Sequence, residues 1–297
     1  MKHHFGDFLD RTADYWTTIP KRDRYAFVAN FNISNKDEVK ILTISKTQDK
    51  EHWEQIFDCF NLEELTLHDP SKEQIQAIRN LTNLKRLRIT FFRAADIEFI
   101  GDLLNLEELI LEYVSGFSDL TPLLKLTKLK SLLCENLRRV SNFDGLKGLK
   151  SLRYLQIDGT FDWSQPIENF NFLEGIENLE VLALGSITYK SEFPALLPIL
   201  KLKKLKKFMA GMSTLTTKEF AFLEVAIPNT YRCNFGNGKL EKYFIKQEKW
   251  VYFLGKGTRS ISLNEETSKD KIKLFEKKYD AYKIEAEEII KNRCGMY

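Results

Sequence analysis

The sequence lacks most of what marks a membrane-bound, secreted or catalytic chain. No run of about 18 apolar residues occurs, so no helix that could cross a bilayer is on offer. The opening MKHHFGDFLDRTADYW has no apolar stretch and no small-residue cleavage site, which excludes the secretory-signal pattern there. Cysteine is scarce and scattered. Cys59, Cys134, Cys233 and Cys294 show no CxxC spacing, and free buried thiols in a reducing cytosol are expected. His3, His4, His52 and His68 have no metal-ligand spacing to cysteines or carboxylates, and His68 is expected at an exposed strand end. The segment FGNGK at 235–239 is too short for a phosphate loop and has no Ser or Thr after its lysine, so it reads as a hairpin turn. A dominant charge sign is also missing: the net is +3, which leaves no nucleic-acid footprint. No catalytic residue, metal or cofactor is expected.

What is present is a globular chain, 43% hydrophobic over 297 residues, built on a repeat. The pattern L-x-x-L-x-L recurs at Val39/Leu42/Ile44, Leu62/Leu65/Leu67, Leu84/Leu87/Ile89 and Leu106/Leu109/Leu111. It continues at Leu129/Leu132/Cys134, Leu152/Leu155/Ile157, Leu179/Leu182/Leu184 and, degraded, Leu205/Phe208/Ala210. Successive first positions lie 22 or 23 residues apart, stretching to 27 and 26 in the last two intervals. Between them run apolar residues at helical spacing, such as Ile75/Ile78/Leu81 and Leu120/Leu123/Leu126. A period-2 strand followed by a short helical turn is one coil of a solenoid. Such a coil cannot bury its apolar face alone, so neighbours stack into a continuous core. The lysines of KLKKLKKF at 201–208 fall between core positions and need no acidic partner to explain them.

The segments Leu81-Thr-Asn-Leu84, Leu104-Asn-Leu106 and Leu126-Thr-Lys-Leu129 carry a resemblance to the leucine-rich repeat family, in particular the 22-residue class of internalin-like bacterial proteins. The resemblance spans about residues 39 to 230. It implies an α/β solenoid with a curved parallel sheet on the concave side, short helices or 3-10 turns on the convex side, and protein binding as the role. One feature departs from the family, which usually has Asn at the ninth position of the repeat to bond the turning backbone. Here that position holds Pro70, Phe92, Val114, Leu137, Thr160 and Ile187, so regular loop geometry does not follow from the resemblance.

A solenoid core needs its two ends covered. Residues 1–38 are expected to supply a helical cap, with Phe5, Phe8, Leu9, Thr12 and Trp16 on one face and Pro20 stopping the helix. Residues 231–297 are expected to supply the other, as strands across 240–263 and a helix over Ser268–Lys291. The seam Ile272, Phe275, Tyr279, Tyr282, Ala286 and Ile289 on that helix is suited to packing on the solenoid end or to pairing with a partner helix.

Positions 3, 5 and 7 of each repeat point away from the core, and neighbouring strands about 4.8 Å apart line them up in columns. Column 3 begins Glu64, Arg86, Glu108, and the charges at position 2 (Glu63, Lys85, Glu107, Lys130) alternate too. Opposite charges across strands contribute roughly 0.2–1 kcal/mol each and explain themselves. Column 7 does not, because Glu112, Glu135 and Asp158 stand side by side. Beside them column 5 places Arg88, Ile110 and Leu133, two of them aliphatic and expected to be exposed, and column 3 adds Tyr154. The edge of the loops contributes Phe91, Phe92, Arg93, Tyr113, Tyr189 and the FDW of 161–163, of which Trp163 is the least easily placed in a core.

The expected partner-binding set is therefore Arg88, Ile110, Glu112, Leu133, Glu135, Tyr154, Asp158 and Trp163. Acids steering toward a basic patch, with aliphatic and aromatic anchors, describe a surface for another protein, not nucleic acid or membrane. A non-enzymatic, cytoplasmic bacterial protein, monomeric when free, fits best. Within that class an inhibitor or immunity-type role is favoured over a scaffold or phosphatase-regulator role, or an activity carried by the C-terminal segment.

Overall fold

The protein is described by a computed structural model over residues 26–29, 32–45, 52–230, 238–243 and 249–294. The strands run β1 Ala26–Val28, β2 Ile41–Ser45, β3 Glu64–His68, β4 Arg86–Arg93, β5 Glu108–Ser115, β6 Ser131–Glu135 and β7 Tyr154–Asp158. They continue with β8 Gln165–Ile167, β9 Val181–Gly185, β10 Ile187–Tyr189, β11 Lys207–Ala210, β12 Lys239–Tyr243, β13 Lys249–Phe253 and β14 Ile261–Ser262. The helices are α1 Lys72–Ala77, α2 Glu98–Gly101, α3 Thr217–Ala226 and α4 Ser268–Cys294.

Among the described residues nine strands form one parallel sheet in the order β1-β2-β3-β4-β5-β6-β7-β9-β11. Its register is the repeat itself: Leu42 pairs with Leu65, then Leu87, Leu109, Leu132, Leu155, Leu182 and Phe208 in turn. Every one of these side chains is fully buried, and each such burial is worth about 1.5–3 kcal/mol. The expected leucine-rich repeat solenoid is the fold. The sheet begins with β1, earlier than the first repeat at Val39. The expected face of Phe5, Phe8, Leu9, Thr12 and Trp16 lies outside the described residues.

Three rows of local chemistry hold each coil. On the convex side an Asx residue opens the short helical turn by accepting a backbone N–H two residues on. The bonds are Asp96 to Glu98 (3.1 Å), Asp119 to Thr121 (2.8 Å), Asn142 to Asp144 (2.8 Å) and Asn169 to Asn171 (2.9 Å). Before β3, β5 and β9, at the position preceding the first leucine, an asparagine amide ties one coil to the last. Asn61 donates to the Asp37 carbonyl, Asn105 to Thr82 and Asn178 to Lys150, at 2.6–2.8 Å. In these three coils an asparagine thus bonds the backbone at the turn before the strand.

After each strand the turn is regular despite that departure. The eighth residue takes a left-handed backbone in five repeats: Asp69 (φ 43°), Phe91 (56°), Tyr113 (54°), Asn136 (54°) and Ser186 (42°). The ninth then drops inward, and Pro70, Phe92, Val114, Leu137 and Ile187 are buried. Where the repeats lengthen to 27 and then 26 residues, β8 of the first pairs with β10 of the second in a small parallel sheet of their own. There the fully buried Gln165 accepts from the Leu137 N–H at 2.8 Å and donates to the Val140 carbonyl at 2.7 Å.

The C-terminal strands β12, β13 and β14 form an antiparallel sheet. Helix α4 packs along α3, the last helix of the repeats, with Tyr279 and Ala286 fully buried in the main core. Phe275 and Tyr282 pack partly buried against that core, while Ile272 packs against the small core under β13 and β14. The Tyr279 hydroxyl donates to Glu224 at 3.0 Å and Lys283 bonds the same carboxylate at 2.7 Å. Much of the helical seam is thus taken up at the end of the repeats. No helix among the described residues is long and apolar enough to cross a membrane.

Candidate binding surface on the concave sheet

Column 3 is more deeply set than strand alternation alone suggests. Arg86 donates to Glu64 at 2.8 Å and to Glu108 at 2.9 Å, and all three are buried. Burial of the guanidinium works against its charge, yet the two carboxylates win and raise its pKa. Farther along, Tyr154 is only 1% exposed and packs with Val181, Ala183 and Met209. The expected aromatic anchor is therefore part of the sheet's own packing. The charges at position 2 pair as anticipated, with Lys85–Glu63 and Lys130–Glu107 each at 2.9 Å.

Column 5 brings a second correction. Ile110 and Leu133, expected to be exposed, are 4% and 3% exposed and pack against each other. Strands at sheet spacing leave a short aliphatic group little open area when longer side chains flank it in columns 3 and 7. Arg88 adds to the cover: its guanidinium crosses diagonally to Glu112, with Nε and Nη2 at 2.8 and 2.7 Å from Oε2. Burial is thus a property of the columns together.

Column 7 is as anticipated in register. Thr90 pairs with Glu112, Glu112 with Glu135 and Glu135 with Asp158, on consecutive strands. One arginine serves three carboxylates. Glu112 has it, and among the described residues neither Glu135 nor Asp158 has an ion pair. Partial burial first, then the neighbouring Glu112 and Asp158 charges, push the Glu135 carboxyl up to about 7 against the opposing pull of Arg88. Burial also raises Asp158, opposed by hydrogen bonds from the Gln156 amide and the Gly159 N–H.

The strand ends carry the exposed apolar surface. Phe91 and Tyr113, both in the left-handed row, are 51% and 38% exposed and stack at 4.7 Å with an 18° tilt. His68 meets Phe91 edge-on at 5.4 Å and bonds Thr90 at 2.8 Å. Phe161 is wholly exposed, Trp163 is half-buried, and the Thr160 N–H donates to the Trp163 carbonyl at 2.6 Å to close that loop. Phe92 is a core plug and Tyr189 is half-buried against Phe170. The pairing of Phe91 with Tyr113 escaped the sequence because it depends on the positive φ at both positions. Their spacing of 22 residues, one repeat, was its available signal.

The site thus joins a carboxylate stripe to a rim of aromatic rings. Nothing in it pairs a nucleophile with a base, and no group of His, Cys, Asp and Glu suited to a metal ion occurs among the described residues.

No protein-family model matches the chain, and no curated protein matches it in sequence. Among solved structures it is similar to the internalin InlF of Listeria monocytogenes, with 22% identity, 58% of this chain and 47% of that one covered, and a TM-score of 0.42. It is also similar to internalin C2 of that organism, with 22% identity, coverage of 58% and 69%, and a TM-score of 0.40. A third likeness is to the mouse RP105/MD-1 complex, with 20% identity, coverage of 63% and 33%, and a TM-score of 0.42. The chain spans about half the length of the first internalin. The leucine-rich repeat fold rests on the register of its own strands, and these likenesses add nothing about its activity.

Proposed function

We propose that this leucine-rich repeat chain is a non-enzymatic interaction module that takes a protein with a basic patch onto its concave face. The observation that carries the reading is the column Glu112–Glu135–Asp158, three carboxylates on neighbouring strands with one arginine among them. Like charges on neighbouring strands repel, and the packing has no need of them. A cationic partner relieves that repulsion and is steered toward it over a distance of about a Debye length. Arg88, already held by Glu112, fixes that carboxylate in place. Affinity comes from the rim, where Phe91, Tyr113 and Phe161 are exposed and Trp163 is half-buried, and aromatic rings are the usual anchors of such contacts.

Within this class we favour an inhibitor or immunity-type protein that occludes an enzyme or toxin. A scaffold or regulatory subunit would use the same surface. An activity of the C-terminal segment has less support, since α4 is occupied in closing the core. A reducing cytoplasm is supported by two buried free thiols, Cys59 and Cys134, which burial pushes up to about 11 and 12 and so keeps unreactive.

The test is capture from an extract of the source cells, with the wild type beside the double variant Glu112→Lys, Glu135→Lys. A protein held by the wild type, released by raised salt and absent from the folded double variant is the expected outcome. Equal capture with unchanged salt dependence would end the reading. A toxin encoded beside this gene would separate inhibitor from scaffold.

A further inference from the structure

Column 7 changes character after Asp158. The next two repeats carry glycine there, Gly185 and Gly211, and the missing side chains open a cleft of about 930 Å³. Its walls include Gln156, Asp158, Phe161, Thr214 and Lys256. A Cβ on Gly185 would collide with both carboxylate oxygens of Asp158, so that side chain lies across the glycine toward the cleft. A Cβ on Gly211 would press on Thr214 Oγ1 at 2.9 Å. A side chain at either glycine would crowd the wall of the recess.

Three groups there want the same visitor. Asp158 has no cation among the described residues, only the Gln156 amide and the Gly159 N–H. The remaining polar atom of that amide, Gln156 Oε1, is sealed from solvent without a donor among the described residues, an unfavourable state for a buried acceptor. Phe161 offers both faces of its ring to solvent. A carboxylate takes two parallel N–H groups, a ring face takes a flat cation, and an amide oxygen takes one more N–H once its side chain swings outward. A guanidinium supplies all of these from one rigid plane. Lysine lacks the plane. A neutral polyol could bond Asp158 and stack on Phe161 but gains nothing from the charge of the neighbouring Glu112 and Glu135.

We infer that the Gly185–Gly211 cleft is a socket for one arginine side chain of the protein partner, gripped by Asp158 and stacked on Phe161. This rests on the concave-face reading for its partner and names the residue through which that partner is held. Lys256, the one cation on the cleft wall among the described residues, works against such a guest and sets a limit on its affinity.

The socket can be tested without the partner, using N-acetyl-arginine methylamide as the probe and the backbone amide resonances of Gly185 and Gly211 as the readout. Both resonances should shift on titration, with a Kd in the millimolar range. The identically capped citrulline, equal in shape but uncharged, should bind about tenfold more weakly. Asp158→Asn should weaken the arginine probe about tenfold, Phe161→Ala about threefold, and Lys256→Ala should tighten it about twofold. Silent glycine resonances, citrulline equal to arginine, or an unchanged Kd in Asp158→Asn would each overturn the socket. Should Asp158→Asn fail to fold, the exposed Phe161→Ala and the citrulline comparison still decide. Failure here leaves the concave-face reading standing, because that reading falls only with the charge-reversal capture.

Discussion

Glu135 shows how much of a side chain's behaviour its neighbours set. Its folded pKa of about 7 lies above the ordinary value of 4.5. The folded state therefore holds the proton more tightly than the unfolded chain, and stability falls as pH rises from about 4.5 through 7. Glu135→Gln removes that loss. With a discount for the water that still reaches the group, the variant should be more stable than wild type by about 1 kcal/mol at pH 8 and indistinguishable at pH 4. Urea unfolding at the two values measures it. Part of the slope will remain, since the buried Glu219 is also raised to about 7 and titrates in the same window. Phe91 and Tyr113 argue in the other direction. A bulky residue in left-handed backbone costs roughly 1–2 kcal/mol, and the same position elsewhere carries Asp69, Asn136 and Ser186. The double variant Phe91→Asn, Tyr113→Asn should hold its melting temperature or gain a few degrees. It should also weaken capture of the partner about tenfold, as calorimetry and binding assays would show. Loss of stability would mean that the stack is architecture. Which face Ile110, Leu133 and Tyr154 occupy was legible from alternation. Their depth was not, because alternation gives direction while burial comes from the length of neighbouring side chains.

At the scale of elements, most of the fold could be read from the repeat, because a fixed period forces a fixed register. The exceptions come where the period breaks. The intervals of 27 and 26 residues make room for β8 and β10, and β8 is tied to the preceding coil by one buried amide. Gln165 bonds the Leu137 N–H and the carbonyls of Leu137 and Val140 across 25 to 28 residues of sequence. No periodicity marks it. Gln165→Leu keeps the volume and strands those backbone groups in a dry site, which should cost about 3 kcal/mol, read as a lower denaturant midpoint. An unchanged midpoint would mean that water replaces the amide there. The asparagine row before β3, β5 and β9 was legible in segments such as Leu104-Asn-Leu106. Its purpose was not, since it bonds a carbonyl of the preceding coil, and that coil is adjacent only once the solenoid has closed.

For the whole molecule, a solenoid is only as stable as its open ends allow. The core runs without a break from Ala29 in the first coil to Phe220, Phe222 and Leu223 of α3, and then to Tyr279 and Ala286 of α4. A helix of 27 residues whose seam is half taken up by this contact could be either a lid on the core or a landing site for a partner helix. The bonds favour the lid: Glu224 of α3 receives both Tyr279 and Lys283, and Lys218 reaches Glu285 at 2.6 Å. Tyr279 is fully buried and fills the space beside Gly238, where a Cβ would strike its ring. Tyr279→Ala should therefore cost about 3–5 kcal/mol and lower the melting temperature of the repeats along with that of the helix, in a single transition. If α4 were a free docking element, the variant would melt as the wild type does and lose only a partner. Hydrogen exchange separates the two outcomes, since a lid predicts faster exchange at β11 and α3 first and at β3 to β6 as well, while a free docking element leaves all of them protected.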